Sequence, residues 1–180
     1  MSRPELDELL VADPPEAWSA LGFTVVDGIV PLGGVRIRLG AEGEGIVGWS
    51  LDGPVPTPPV EHPLGAVAID HVVALTPDLD REVADLRAAG LDYRSTRDAG
   101  NGFRQAFFVL GPCLLELGGP AEGETRFWGL TVVVEDIDGA ATRLRDRLGP
   151  IKDAVQPGRR IATLRREAGL SVPLALMTPR

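Results

Sequence analysis

One unit, strand-helix-strand-strand-strand, recurs along this chain, and a recurring unit of this length leaves few folds open to it. The clearest copy covers residues 69–120. Ile69-Asp70-His71-Val72-Val73-Ala74-Leu75 reads as a strand and residues 77–89 as a helix; three short apolar runs then end in Leu114-Leu115-Glu116-Leu117-Gly118-Gly119-Pro120. The helix takes Thr76 as N-cap, Pro77 at its first position and Gly90 as its stop. A second copy, residues 127–179, has Asp136 as N-cap and Gly149-Pro150 as its stop. The apolar positions coincide, since Leu79 and Ile137, Val83 and Ala141, and Leu86 and Leu144 are each 58 residues apart. The same offset carries His71 onto Gly129. Further on, Gly102-Phe103-Arg104-Gln105-Ala106 matches Gly158-Arg159-Arg160-Ile161-Ala162, and Leu115-Glu116-Leu117 matches Leu174-Ala175-Leu176. Those offsets, 56 and 59, drift as loop insertions and deletions require.

A partial third copy comes first. Asp13-Pro14-Pro15-Glu16 has the capping-box pattern for a short helix through Trp18 and Leu21 to Gly22. Three strand-like runs follow, and the last, Gly48-Trp49-Ser50-Leu51-Asp52, sets Ser50 against Glu116. Gly34-Val35-Arg36 likewise sets Arg36 against Arg104 and Arg160. No first strand is evident, because residues 4–10 read as a short helix capped by Ser2. Residues 55–65 hold Pro56, Pro58, Pro59 and Pro63 and read as a linker. The expected organisation is a degenerate module over residues 1–54, a linker over 55–65, and complete modules over 66–120 and 121–180.

Composition narrows the function classes. With 180 residues, 44% hydrophobic and 24% charged, the chain has the balance of an ordinary globular protein. No apolar run approaches the roughly 18 residues of a membrane helix. The acidic, polar opening from Met1 to Glu8 is unlike a secretion signal. Cys113 is the sole cysteine, so no internal disulfide forms and a reducing, cytoplasmic location is expected. A net charge of −8 argues against nucleic acid as partner. The charge is uneven: residues 140–180 hold nine Lys or Arg against three acids. A solvated face paired with the acidic remainder is the plain reading, and a docking surface for an anionic partner the sharper one.

A unit of this kind, with His71 on its first strand and Glu116 on its last, resembles the vicinal oxygen chelate superfamily. That superfamily includes glyoxalases, extradiol dioxygenases, fosfomycin-resistance proteins and bleomycin-binding proteins. The resemblance is carried by Asp70-His71-Val72-Val73, Phe107-Phe108-Val109-Leu110-Gly111, Leu114-Leu115-Glu116-Leu117, Phe127-Trp128-Gly129-Leu130 and Pro173-Leu174-Ala175-Leu176, through their order and spacing. It implies an α+β fold of paired βαβββ modules forming an open curved sheet around a cleft, plus a partial N-terminal αβββ module. It also implies metal ligands on the first and last strands of each module. His71 and Glu116 fill those positions in the first module and suit a divalent ion. Gly129 and Ala175 fill them in the second and offer no donor side chain. The other histidine, His62, lies in the linker, which is expected to hold it outside the cleft; a dioxygenase-type set of two histidines and one carboxylate would need the linker to bring it in.

Three readings of His71 and Glu116 remain open: a buried structural pair, a metal site completed by water or substrate, or acid-base and orienting groups in a cleft for an organic ligand. The expected function is binding of a small polar or anionic molecule between the modules, without a complete intrinsic metal site or other cofactor. A metal-dependent lyase, isomerase or dioxygenase of the glyoxalase type is the first alternative, and a non-catalytic interaction module the second. Arg104 and Arg160 either flank the cleft and attract a carboxylate or phosphate, or are each held by a helix acid or backbone carbonyls. Trp128 is the candidate stacking aromatic, while Gly129 and Ala175 widen the pocket. Cys113 is expected to be a buried, inert thiol. The N-terminal half-module leaves strand edges and a sheet face uncovered, from which a homodimer is expected.

Overall fold

The computed structural model describes residues 3–53, 56–57 and 59–180. Ser2, the expected cap, and Pro54, Val55 and Pro58 of the linker lie outside the described residues. The N-terminal unit runs β1 (Glu8–Val11), α1 (Pro15–Leu21), β2 (Ile29–Leu32), β3 (Val35–Arg38) and β4 (Ile46–Ser50). Where a helix was expected there is a strand: Leu9 and Val11 are buried and Glu8 and Leu10 are not, the two-residue alternation of a half-buried strand. Its partners are β3, parallel, and β4, antiparallel, in the order β2-β3-β1-β4. This order corrects the alignment of the partial copy. The last strand of a complete module runs parallel to its first, and here that place belongs to β3. Ser50 sits on the opposite side of β1, bonded to Asp52 at 3.0 Å, and is no counterpart of Glu116. Arg36, on β3, is held by Asp7 at 3.1 Å and Glu8 at 3.4 Å.

The complete modules follow the expected order. The first is β5 (Ala66–Leu75), α2 (Leu79–Ala88), β6 (Asp92–Gly100), β7 (Phe103–Val109) and β8 (Leu114–Gly119). The second is β9 (Arg126–Val134), α3 (Ile137–Leu144), β10 (Lys152–Asp153), β11 (Arg160–Thr163) and β12 (Leu174–Met177). Together they make one open curved sheet, β10-β11-β12-β9-β5-β8-β7-β6. Its two-fold symmetry is visible in the register. β5 pairs β9 antiparallel with His71 opposite Thr131 and Val73 opposite Gly129. β5 pairs β8 in parallel with Val73 beside Glu116, just as β9 pairs β12 with Thr131 beside Ala175. His71 and Gly129 are therefore symmetry mates, as are Glu116 and Ala175. The helices keep the offset too, although α2 is capped by Asp78 rather than Thr76. The Asp78 carboxylate accepts from Arg81 N at 3.1 Å, as Asp136 accepts from Gly139 N at 3.0 Å. The Thr76 hydroxyl is engaged with Thr125 at 2.9 Å instead.

Alternation divides the large sheet into two faces. Leu115, Leu117, Ala106, Phe108, Val72, Leu130 and Val132 are buried under α2, α3 and the N-terminal unit. Their neighbours His71, Val73, Gln105, Phe107, Leu114 and Glu116 form the partly exposed open face. The N-terminal sheet packs on the helix-bearing face: the Trp49 ring meets Phe127 at 5.1 Å, and Leu6 N donates to Leu110 O at 3.1 Å. Asp13 shows how this docking is fastened. It does not cap α1, whose N-cap is Pro14 without a side-chain bond. It is buried instead, accepting from Ser171 N at 2.6 Å, Val172 N at 3.4 Å and Trp18 Nε1 at 3.3 Å. The sheet face from which a homodimer was expected is thus covered by the same chain. Among the described residues, no helix is long and apolar enough to cross a membrane.

Candidate functional site

The open face gains its polar centre from a β-bulge. The β5–β9 register shifts between Ile69 and His71, so Asp70 is an extra residue and both Ile69 and Asp70 are buried in succession. The bulge turns the Asp70 carboxylate beside its own neighbour, and Oδ2 meets His71 Nδ1 at 2.8 Å. The other oxygen meets Arg159 Nη2 at 2.7 Å. Burial by itself pushes the Asp70 pKa up, but the hydrogen bond from His71 and the Arg159 guanidinium beside it outweigh it and hold the pKa at about 2. Asp70 is therefore an acceptor, and the Nδ1 of His71 carries a proton. His71 Nε2 points at Thr131 Oγ1, 3.0 Å away, with Glu116 Oε2 at 3.7 Å. The second Glu116 oxygen accepts from the Gln105 amide, whose own oxygen accepts from Arg97 Nε at 2.8 Å. A continuous polar line thus crosses four strands from Arg159 to Arg97.

Strand order and pairing decide the architecture: two βαβββ units joined first strand to first strand, each closing its first strand in parallel with its last. The chain has the vicinal oxygen chelate fold. Solved structures agree. A methylmalonyl-CoA epimerase from Mycobacterium tuberculosis is 19% identical over 64% of this chain and 90% of that one, with a TM-score of 0.54. A variant of the Streptomyces coelicolor methylmalonyl-CoA epimerase, in complex with 2-nitronate-propionyl-CoA, is 25% identical over 61% of this chain and 95% of that one, with a TM-score of 0.50. A hypothetical protein from Bacillus halodurans C-125 is 14% identical over 62% of this chain and 94% of that one, with a TM-score of 0.51. No family model and no curated protein matches the sequence.

Within this vicinal oxygen chelate fold the donor set is tested by its own chemistry. His71 Nε2 and Glu116 Oε2 converge, but no third His, Cys, Asp or Glu joins them among the described residues. Gly129 and Ala175, the symmetry mates, supply no donor, while the Thr131 hydroxyl stands against His71 Nε2 and the Gln105 amide takes one Glu116 oxygen. These residues do not fit the inner shell of a resident divalent ion, for which three or four protein ligands are usual. His62 is too far committed to contribute. Its Nδ1 accepts from Thr24 N at 2.9 Å, leaving Nε2 to donate to Pro31 O at 2.9 Å, so it pins the linker to the N-terminal unit.

The expected ligand-binding positions separate. Arg104 meets Asp80 at 2.8 Å and Arg160 meets Asp138 at 2.7 Å, each a strap from a strand to the first turn of its module's helix. The acids respond as expected, for the hydrogen bond and then the charge of each arginine hold Asp80 and Asp138 below the usual carboxylate range. These arginines serve the helix-bearing face, and the alternative in which a helix acid holds each is the one observed. Because both pairs are solvent-exposed, Arg104→Ala and Arg160→Ala should leave the thermal midpoint within error of wild type. Trp128 is half exposed. Gly129 widens nothing: a Cβ there would lie 2.9 Å from the Pro173 carbonyl, so glycine admits a close strand contact. Ala175 is partly exposed between Thr131 and Thr163. Cys113 is buried, and burial first, then the negative charge of Asp70, pushes its thiol up to about 12.

Sequence reasoning overlooked Asp70, Thr131, Gln105 and Arg159. Asp70 was hidden because strict alternation sends it to the face opposite His71. Thr131 and Gln105 become site residues only through pairing register, and Arg159 only through the turn that brings it to Asp70.

Proposed function

We propose that the protein binds a small polar or anionic organic molecule on the open face between its complete modules, with Asp70, His71 and Glu116 at the centre. The observation that carries this reading is the Asp70–His71 hydrogen bond, 2.8 Å long, which aims Nε2 along the open face toward Glu116. A buried carboxylate behind an imidazole fixes its tautomer and steadies the cation formed when Nε2 takes a proton. Glu116, held by Gln105, supplies a second proton-carrying group within reach. Such a centre suits orienting a carbonyl-bearing ligand or moving a proton beside its carbonyl. The likeness to an epimerase bound to 2-nitronate-propionyl-CoA makes acyl thioesters a sensible class to include in the search. In this reading the chemistry belongs to the side chains and needs no resident metal.

The test is a thermal-shift panel of short carboxylates, phosphorylated metabolites and acyl-CoA thioesters, run on wild type and on His71→Gln. At least one class should raise the wild-type midpoint, and His71→Gln should abolish that rise. A rise that survives the substitution would place the ligand elsewhere. Elemental analysis decides the metal question separately. Near-stoichiometric divalent metal in protein purified without chelator, lost on His71→Ala, would favour a glyoxalase-type metalloenzyme.

A further inference from the structure

Arg159 is the one arginine among the buried polar residues described, at 4% exposure. Its Nε donates to Thr178 O at 2.9 Å, and Nη2 lies 2.7 Å from Asp70 as an ion pair outside hydrogen-bond alignment. Nη1 has no hydrogen-bond partner at all. A buried guanidinium with unfilled donors is costly, and an arriving acceptor relieves that cost. Arg159 also lines two adjoining hollows of about 330 and 560 Å³ at the ends of β5 and β8. Both hollows include Arg94 and Arg180, which are exposed, and Asp70 is the only acid on either lining. Three arginines therefore line one space, and the only side-chain carboxylate among its lining residues is already shared between Arg159 and His71.

We propose that this space is an oxyanion subsite, receiving a phosphoryl or carboxylate group of the ligand whose other end lies at His71. The inference rests on the ligand-binding reading above and names the charged part of that ligand. Leu114 connects the two places, for it lines both hollows and is the register partner of His71 on β8. Guanidinium forks match the paired oxygens of phosphate and carboxylate, and partial burial strengthens the contact. The two neighbouring arginines part company here, for Arg159 meets Asp70 at 2.7 Å while Arg160 meets Asp138 on α3 at 2.7 Å.

Isothermal titration with inorganic phosphate and, separately, with acetate tests this at constant ionic strength made up with chloride. One or both anions should bind wild type saturably, and the preferred anion distinguishes a phosphoryl from a carboxylate group. Arg94→Gln combined with Arg180→Gln changes only exposed side chains and should weaken that binding by about tenfold or more. Arg159→Lys, which keeps the charge but loses the fork, should weaken it as well. Heats indistinguishable from chloride for both anions would overturn the proposal, as would unchanged affinity in the double variant. His71→Gln separates this result from the ligand panel: phosphate or acetate binding should persist in it even though the organic-ligand response is lost.

Discussion

Asp70→Ala should lower stability by roughly 3–5 kcal/mol, because it leaves the buried Arg159 guanidinium without its counter-charge. The side chains of Asp70 and Arg159 are each 5% exposed, so neither charge can turn to water for compensation. His71 loses its Nδ1 partner in the same step. Urea unfolding of wild type and variant at neutral pH measures the loss, and a change below about 1 kcal/mol would mean the pair behaves like a surface ion pair. The same carboxylate shapes the acid limb. A group held at about 2 when folded, against 3.8 ordinarily, binds fewer protons folded than unfolded between those values. Its stabilisation, about 2 kcal/mol, is complete above about pH 4 and disappears as pH falls through about 2. Asp70→Asn should therefore flatten the wild-type decline in that window, and an unchanged decline would assign it to other acids.

The second large effect is expected at Asp13. One carboxylate there takes the Trp18 indole N–H and two backbone N–H groups of a segment more than 150 residues away. Asp13→Ala removes the acceptor but none of the donors, of which Trp18 Nε1 and Val172 N are buried at an internal seam. The expected cost is roughly 2–4 kcal/mol, read as a lower urea midpoint. Trp18 fluorescence should shift to the red in the folded variant as water reaches the seam. An unaltered midpoint would mean that water replaces the carboxylate without loss.

The repeat made the paired modules legible, because helix faces and strand ends recur at a nearly fixed offset. The same arithmetic placed His71, Glu116, Gly129 and Ala175 on symmetry-related positions, and the register agrees. Three things escaped it. The first strand of the N-terminal unit looked helical because Glu5 to Leu10 offers no clean alternation until its pairing with β3 and β4 is known. The bulge at Asp70 breaks the two-residue period on which any assignment of faces depends. The Gly-x-Arg element drew attention to the residue that repeats, whereas the residue facing the open side, Arg159, has Phe103 as its counterpart and carries no repeat signal.

The fastening between Asp13 and Ser171 has a consequence for how the chain reaches its native state. During synthesis the first sheet emerges well before the segment that anchors it, and it must wait until Ser171 and Val172 are made. The central β5–β9 pairing also joins strands some sixty residues apart, such as His71 with Thr131. Contacts this distant slow folding and prolong the exposure of apolar strands. In vitro refolding should accordingly be slow for a protein of this size. The unit built on β1–β4 should gain protection from hydrogen exchange only when the segment leading into β12 docks, so it is made before, and secured after, the modules that follow it.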